Sequence, residues 1–216
     1  MRVPNILTIS RLFLAFAMTV FLTFHIPFGR TLAFIAFAAA GLTDYLDGYL
    51  ARRGYGITLF GQLMDPVADK VLVCAAFISF VAIHQIVPAW IVTMIITREF
   101  MVTGLRLLAV TKGRVMAAGI WGKHKTAWQI IAITIIILGL AIRDDVIPRF
   151  FVFAPGRYEQ VLLIYDRYFS YVTFWISFLV TVLTVVSGAL YYWRERRMIL
   201  EHVRGEEPNE APDAGA

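Results

Sequence analysis

Charge is what this chain has least of. Of its 216 residues only 16% are Asp, Glu, Lys or Arg, while 59% are hydrophobic. A soluble domain of this length carries about 25% charged residues, so the shortage argues against an ordinary water-soluble globule. One membrane domain is the natural class, in keeping with a mean hydropathy of +0.71. Cysteine is almost absent too. Cys74 stands alone in an apolar run, which excludes an internal disulfide and a thiolate metal cluster and reads as a core residue. A concentrated basic patch is also lacking. The formal charge is +5, yet the basic residues are scattered between apolar segments, so nucleic acid is not an expected partner. Topology and anionic lipid account for them better. A cleavable leader is not expected either: Arg2 precedes an apolar run, but Arg11 interrupts it and no small-residue cleavage site follows near residue 25.

What the chain does have is apolar runs of bilayer length. Segments at about 6–24, 31–53, 60–83, 88–110, 118–142 and 168–193 are each close to the ~20 residues that cross a bilayer. The expected fold is an all-α bundle of six transmembrane helices forming one domain over 1–204. Residues 205–216, rich in Glu, Pro and Ala, are expected to be disordered. The stretch 143–167 holds Pro148, Pro155 and Gly156 and is too polar to span; it is expected as an extramembrane loop with a short amphipathic helix. Arg2, Arg52-Arg53, the Arg106 to Lys125 connection and Arg194-Arg196-Arg197 fall on one side. The opposite side has Arg30, a loop at 84–88 without Lys or Arg, and the mixed 143–167 stretch. The positive-inside rule then puts both termini in the cytoplasm. The protein is expected in the cytoplasmic (inner) membrane, with its site facing the cytoplasm.

Against this background, residues 44–69 stand out. They hold Asp44, Asp47, Asp65 and Asp69 in an otherwise apolar context, where one charged side chain costs about 2.5–3.5 kcal/mol at helix centre. Asp44, Asp47, Gly48 and Ala51 fall at i, i+3, i+4 and i+7 and share one helix face. Gly61, Asp65 and Asp69 follow at i, i+4 and i+8 on a second. Two such faces can meet around hard divalent cations, which take oxygen ligands.

The run Asp44-x-x-Asp47-Gly48-x-x-Ala51-Arg52, eight residues, Gly61-x-x-x-Asp65-x-x-x-Asp69 resembles the signature of the CDP-alcohol phosphatidyltransferases, matching at all eight positions. The resemblance implies integral membrane enzymes that build phospholipid head groups, a CDP-linked lipid such as CDP-diacylglycerol as donor, and two Mg²⁺ or Mn²⁺ ions. It also suggests a homodimer. By position, Asp44, Asp47 and Asp65 resemble metal ligands, and Asp69 is the candidate general base as well as a candidate ligand. Gly48, Ala51 and Gly61 would let a nucleotide lie against the helix backbones, although close helix packing explains small residues too. Arg52 can reach phosphate oxygens with a fork of donors. The segment Pro4 to Arg11 matches one common in bacterial members, so Asn5 and Thr8 are candidate nucleotide contacts; helix capping is the alternative.

Further on, Arg98-Glu99, Arg106 and Gly122-Lys123-His124-Lys125-Thr126 resemble the members that make phosphatidylglycerol phosphate. Arg98, Arg106, Lys123 and Lys125 would then bind the phosphate of an acceptor, sn-glycerol 3-phosphate. Two other readings stay open here. A cardiolipin synthase of the same fold would take phosphatidylglycerol as acceptor. A divalent-cation transporter would use the acids as a path, but an internal repeat often seen in such proteins is missing.

Overall fold

Every long apolar run is a helix. The computed structural model describes residues 3–24, 26–52, 59–83, 85–111, 120–151 and 155–203. Within these, the side chains of residues 3–8, 44–52, 59–66, 69, 106–111, 120–124, 155, 194–195 and 197–203 are outside the described set. The expected disordered tail, 205–216, also lies outside the described residues. Helices α1 (Val3–Thr23), α2 (Gly29–Arg52), α3 (Leu59–Ala82), α4 (Ala89–Thr111) and α5 (Ile120–Ala141) follow in order. A π-helical segment, Ile142–Val146, continues α5 into the single turn α6 (Ile147–Phe150), and α7 (Pro155–Val203) closes the chain. No strand occurs among the described residues.

Helix α1 packs against both α2 and α3, α5 lies between α2 and α7, and α4 packs on α7. Small residues make the first contact possible: Ala33, Ala36 and Ala40 form a buried stripe on α2, which lets backbones approach closely. Met18, Phe77, Phe80, Ile91, Ile133 and Leu140 fill the shared core. The outer surface is the unusual part. Phe13, Phe16, Phe100 and Trp175 are exposed while Arg11, Glu99 and Lys125 are buried. Exposed large apolar side chains beside buried charges invert the usual pattern of a soluble protein.

Helix α7 corrects the expectation of a loop over 143–167. It begins at Pro155 rather than near 168 and runs for 49 residues, about 73 Å at 1.5 Å per residue. Two features misled the sequence reading. Pro155 sits at a helix start, where a missing N–H costs nothing, and Pro148 stands where the π-helical segment passes into α6. The charges that made the stretch look like a loop are paired within the protein. Arg143 grips Asp166 of α7 with two bonds, from Nε at 2.7 Å and Nη2 at 2.9 Å, and donates to Asp144 at 2.8 Å. Arg30 Nε donates to the other oxygen of Asp144 at 2.9 Å. Asp145 accepts from the backbone N–H and hydroxyl of Thr31, at 2.8 and 2.7 Å, which satisfies an amide in the first turn of α2.

The hydrogen bonds to Asp166, with burial opposing and the bond to Asp144 adding, hold Arg143 above its ordinary pKa. Within α7, the 38-residue stretch Gly156–Trp193 is long and apolar enough to cross a membrane, with an 18-residue window of mean hydropathy 2.0. Among the described residues, Ile9–Thr23, Gly29–Thr43 and Lys70–Ala82 are shorter apolar runs.

Candidate active site

The two halves of the acidic motif lie on consecutive helices. Asp44, Asp47, Gly48, Ala51 and Arg52 occupy the C-terminal turns of α2, and Gly61, Asp65 and Asp69 the N-terminal half of α3. The chain from Arg52 to Leu59 can span at most about 25 Å when fully extended. Because α2 and α3 also touch, both motif halves belong to the same end of the bundle. The side chains of these eight residues lie outside the described set, so the backbone places them and no contact is assigned to them. Asn5 and Thr8 fall within the first turns of α1, which begins at Val3; their side chains, like those of Arg106 and Lys123, lie outside the described set.

Lys125 and Arg98 are described, and they meet. Lys125, 4% exposed, donates to Glu99 Oε1. Gln129, one turn further along α5, donates to the same oxygen at 3.3 Å. Arg98 Nη1 lies 3.6 Å from Glu99 Oε1, and its Nη2 donates to Ser187 Oγ of α7 at 2.8 Å. Ser187 in turn donates to the carbonyl of Thr184 at 3.1 Å. Three helices, α4, α5 and α7, are thus joined through one buried polar cluster. Lys70, directly after Asp69 in α3, acts electrostatically on Lys125 together with Arg98. Through Lys70 the cluster therefore reaches toward the motif helix.

Sequence reading named Arg98 and Lys125 but missed Lys70, Gln129, Ser187 and Gly188. A Cβ on Gly188 would stand 2.8 Å from Cγ of Arg98 and 3.2 Å from its Nε, so this glycine makes the space the arginine occupies. A signal existed. Thr173, Ser177, Thr181, Thr184 and Ser187 recur every three or four residues and form the buried face of α7, as small hydroxyl residues do where membrane helices pack closely.

Comparison with known proteins fits this geometry. The family pattern described as CDP-alcohol phosphatidyltransferase matches residues 1–186. Among similar proteins is the CDP-diacylglycerol–glycerol-3-phosphate 3-phosphatidyltransferase of Bacillus subtilis, 48% identical over 113 residues, covering 52% of this chain and 58% of that protein. Proteins of the same name from Mycoplasma pneumoniae and Cereibacter sphaeroides are 35% and 39% identical, over 61% and 63% of this chain and 66% and 63% of their own lengths. The chain thus spans a little under two thirds of the length of these curated relatives. With the family pattern running from the first residue to within α7, the chain belongs to the CDP-alcohol phosphatidyltransferase family.

Proposed function

We propose that this protein transfers the phosphatidyl group of CDP-diacylglycerol to sn-glycerol 3-phosphate, giving phosphatidylglycerol phosphate and CMP. The carrying observation is that Arg98 of α4 and Lys125 of α5 converge on Glu99 in a buried place, while Lys70 of the motif helix acts electrostatically on Lys125. Cations that converge beside the motif helix suit an acceptor that brings its own phosphate. The names of the relatives point the same way.

The donor set fits Mg²⁺ or Mn²⁺, because four carboxylates supply hard oxygen ligands from two helices joined at one end of the bundle. Asp44, Asp47, Asp65 and Asp69 would hold two such ions, which when bound draw charge from the diphosphate and stabilise its departing half. In this reading Arg52 grips phosphate oxygens, and Gly48, Ala51 and Gly61 leave room for the nucleotide, with Asn5 and Thr8 at its edge. Arg98, Arg106, Lys123 and Lys125 fix the acceptor phosphate. Glu99 keeps Lys125 and Arg98 in register. Asp69 takes the proton from the acceptor's 1-hydroxyl as that oxygen bonds to the phosphorus carrying diacylglycerol. The bond from this phosphorus to the bridging oxygen breaks, and CMP leaves with the electron pair.

We further infer a multi-pass protein of the cytoplasmic membrane. The six long helices, α1 to α5 and α7, each cross the bilayer, and the motif lies toward the cytoplasm. Exposed aromatics such as Phe13, Phe16 and Trp175 support lipid contact. The length of α7, well beyond the ~30 Å hydrocarbon core, supports a helix that continues into water.

The test is purified protein with CDP-diacylglycerol and Mg²⁺ or Mn²⁺, offered glycerol 3-phosphate, phosphatidylglycerol, serine and inositol in turn. CMP release with glycerol 3-phosphate is expected. Faster release with phosphatidylglycerol overturns the acceptor assignment, and undiminished rates in excess EDTA overturn the metal assignment.

A further inference from the structure

At the opposite end of the bundle from the motif, three pieces of chain line an open cavity of about 590 Å³. They are the α1–α2 turn, the π-helical segment with α6, and the first turns of α7. Helix α2 leads from Gly29 at this cavity to Asp44 of the motif, a rise of about 22 Å. The cavity therefore belongs to the other face of the bundle and is not used by the proposed transfer reaction.

Its wall holds Arg30, Arg143 and Arg149, the acids Asp144 and Asp145, and Tyr158. The acids are already engaged. Asp144 accepts from Arg30 and Arg143, and the Asp145 carboxylate accepts from the amide and hydroxyl of Thr31. Arg143 also holds Asp166. Arg149 is different. Its Nη1 donates to the backbone carbonyl of Asp145, and its guanidinium lies 3.4 Å over the ring of Phe28. Among the described residues no carboxylate pairs with it. A guanidinium carries five N–H donors, so most of those on Arg149 remain for a ligand.

The position of the ring is itself enforced. Phe28 has φ 58°, a left-handed conformation that a bulky residue rarely adopts. It sets an exposed aromatic face beneath the arginine. Phe24 and Ile26, also exposed, continue the rim as an apolar surface. A cation with spare donors, a tyrosine hydroxyl and an apolar rim are complementary to an amphiphile with an anionic head.

We propose that this cavity binds the phosphate of an anionic phospholipid, with Arg149 and Tyr158 as donors and Phe24 and Ile26 against its chain. Free phosphate shares the head chemistry but leaves the apolar rim unused.

The test uses the full chain in neutral detergent. Native mass spectrometry measures retention of phosphatidylglycerol and of phosphatidylcholine with identical acyl chains, and thermal unfolding is followed with inorganic phosphate. Wild type, Arg149→Gln, Arg149→Lys and Tyr158→Phe are compared. Arg149→Gln should weaken one class of phosphatidylglycerol binding roughly tenfold, the scale of one charge-assisted hydrogen bond. Phosphatidylcholine should not distinguish the two proteins. Arg149→Lys should restore much of the binding, which a purely structural role for the guanidinium stack would not allow. Because Arg149 is exposed and no described carboxylate loses a partner, Arg149→Gln should fold and release CMP at the wild-type rate. Protection by inorganic phosphate that Arg149→Gln abolishes would keep the phosphate subsite but overturn the lipid as its source. Equal phosphatidylglycerol retention by wild type and Arg149→Gln overturns the proposal.

Discussion

Among the described side chains, two charged clusters stand out at different levels of the bundle, and they sit against different neighbours. In the cluster around the π-helical segment, Arg30 and Arg143 are matched by Asp144 and Asp166, while Asp145 serves the start of α2. In the cluster between α4, α5 and α7, Glu99 faces Lys125 and Arg98, and Lys70 of the motif helix acts electrostatically on Lys125. A closed set of ion pairs holds helices in place and asks for nothing more. Buried cations gathered beside the motif helix suit an anionic acceptor instead. On the proposed function, nearness to the motif helix separates scaffold from site more clearly than burial does, because both clusters are partly or fully buried.

The largest effect expected at the motif end comes from Asp69→Asn. CMP release from CDP-diacylglycerol should fall about 10²- to 10⁴-fold, the usual worth of a general base, with the unfolding temperature unchanged. Retained turnover would remove Asp69 as the base. Lys125→Ala should act on two quantities at once. The KM for glycerol 3-phosphate should rise roughly tenfold or more, while that for CDP-diacylglycerol stays put. Stability should also drop by about 3–5 kcal/mol, because Glu99 loses its nearest partner in a buried place. Adding Glu99→Gln should recover most of the stability but not the KM. If both KM values move together, Lys125 is no acceptor ligand and the contrast between the clusters loses its functional meaning.

How much of this was legible beforehand depends on the distance over which residues must cooperate. The motif halves could be read because helical spacing alone puts Asp44 with Asp47, and Asp65 with Asp69, on shared faces. The long helices could be read because apolar runs record their own length. Partners far apart in the chain could not. Arg30 and Asp144 are 114 positions apart, and Arg98 and Ser187 are 89 apart; no local pattern links them. The start of α7 was hidden for a related reason. Pro155 is harmless at a helix's first turn, Pro148 is accommodated where the π-helical segment passes into α6, and only the structure shows that they stand there. Asp166 and Arg143 looked like loop charges because their pairing was invisible.

Two smaller perturbations sharpen the comparison from either side. Arg143→Gln should cost about 1 kcal/mol, since the pair is partly exposed and solvent screening reduces its worth. It should leave CMP release unchanged; a large loss of activity would mean that this cluster is more than scaffold. Its partners raise the pKa of Arg143, so this stabilisation is present below the ordinary arginine value and is lost only above the raised one. No alkaline loss of stability from this group is therefore expected at any working pH.

Gly188→Ala should have the mildest consequence and is the most pointed. The new methyl would stand 2.8 Å from Cγ of Arg98, closer than carbon atoms tolerate. Arg98 is a flexible side chain, so it can shift by a few tenths of an ångström without unfolding α4 or α7. That shift would lengthen its bond to Ser187 and alter its distance to Glu99, while leaving every charge in place. A rise of roughly two- to fivefold in KM for glycerol 3-phosphate, with kcat and the KM for CDP-diacylglycerol steady, is expected at a cost of under about 1.5 kcal/mol. An unchanged KM alongside a measurable loss of stability would place Arg98 with the scaffold, leaving Lys125 to carry the acceptor end of the site.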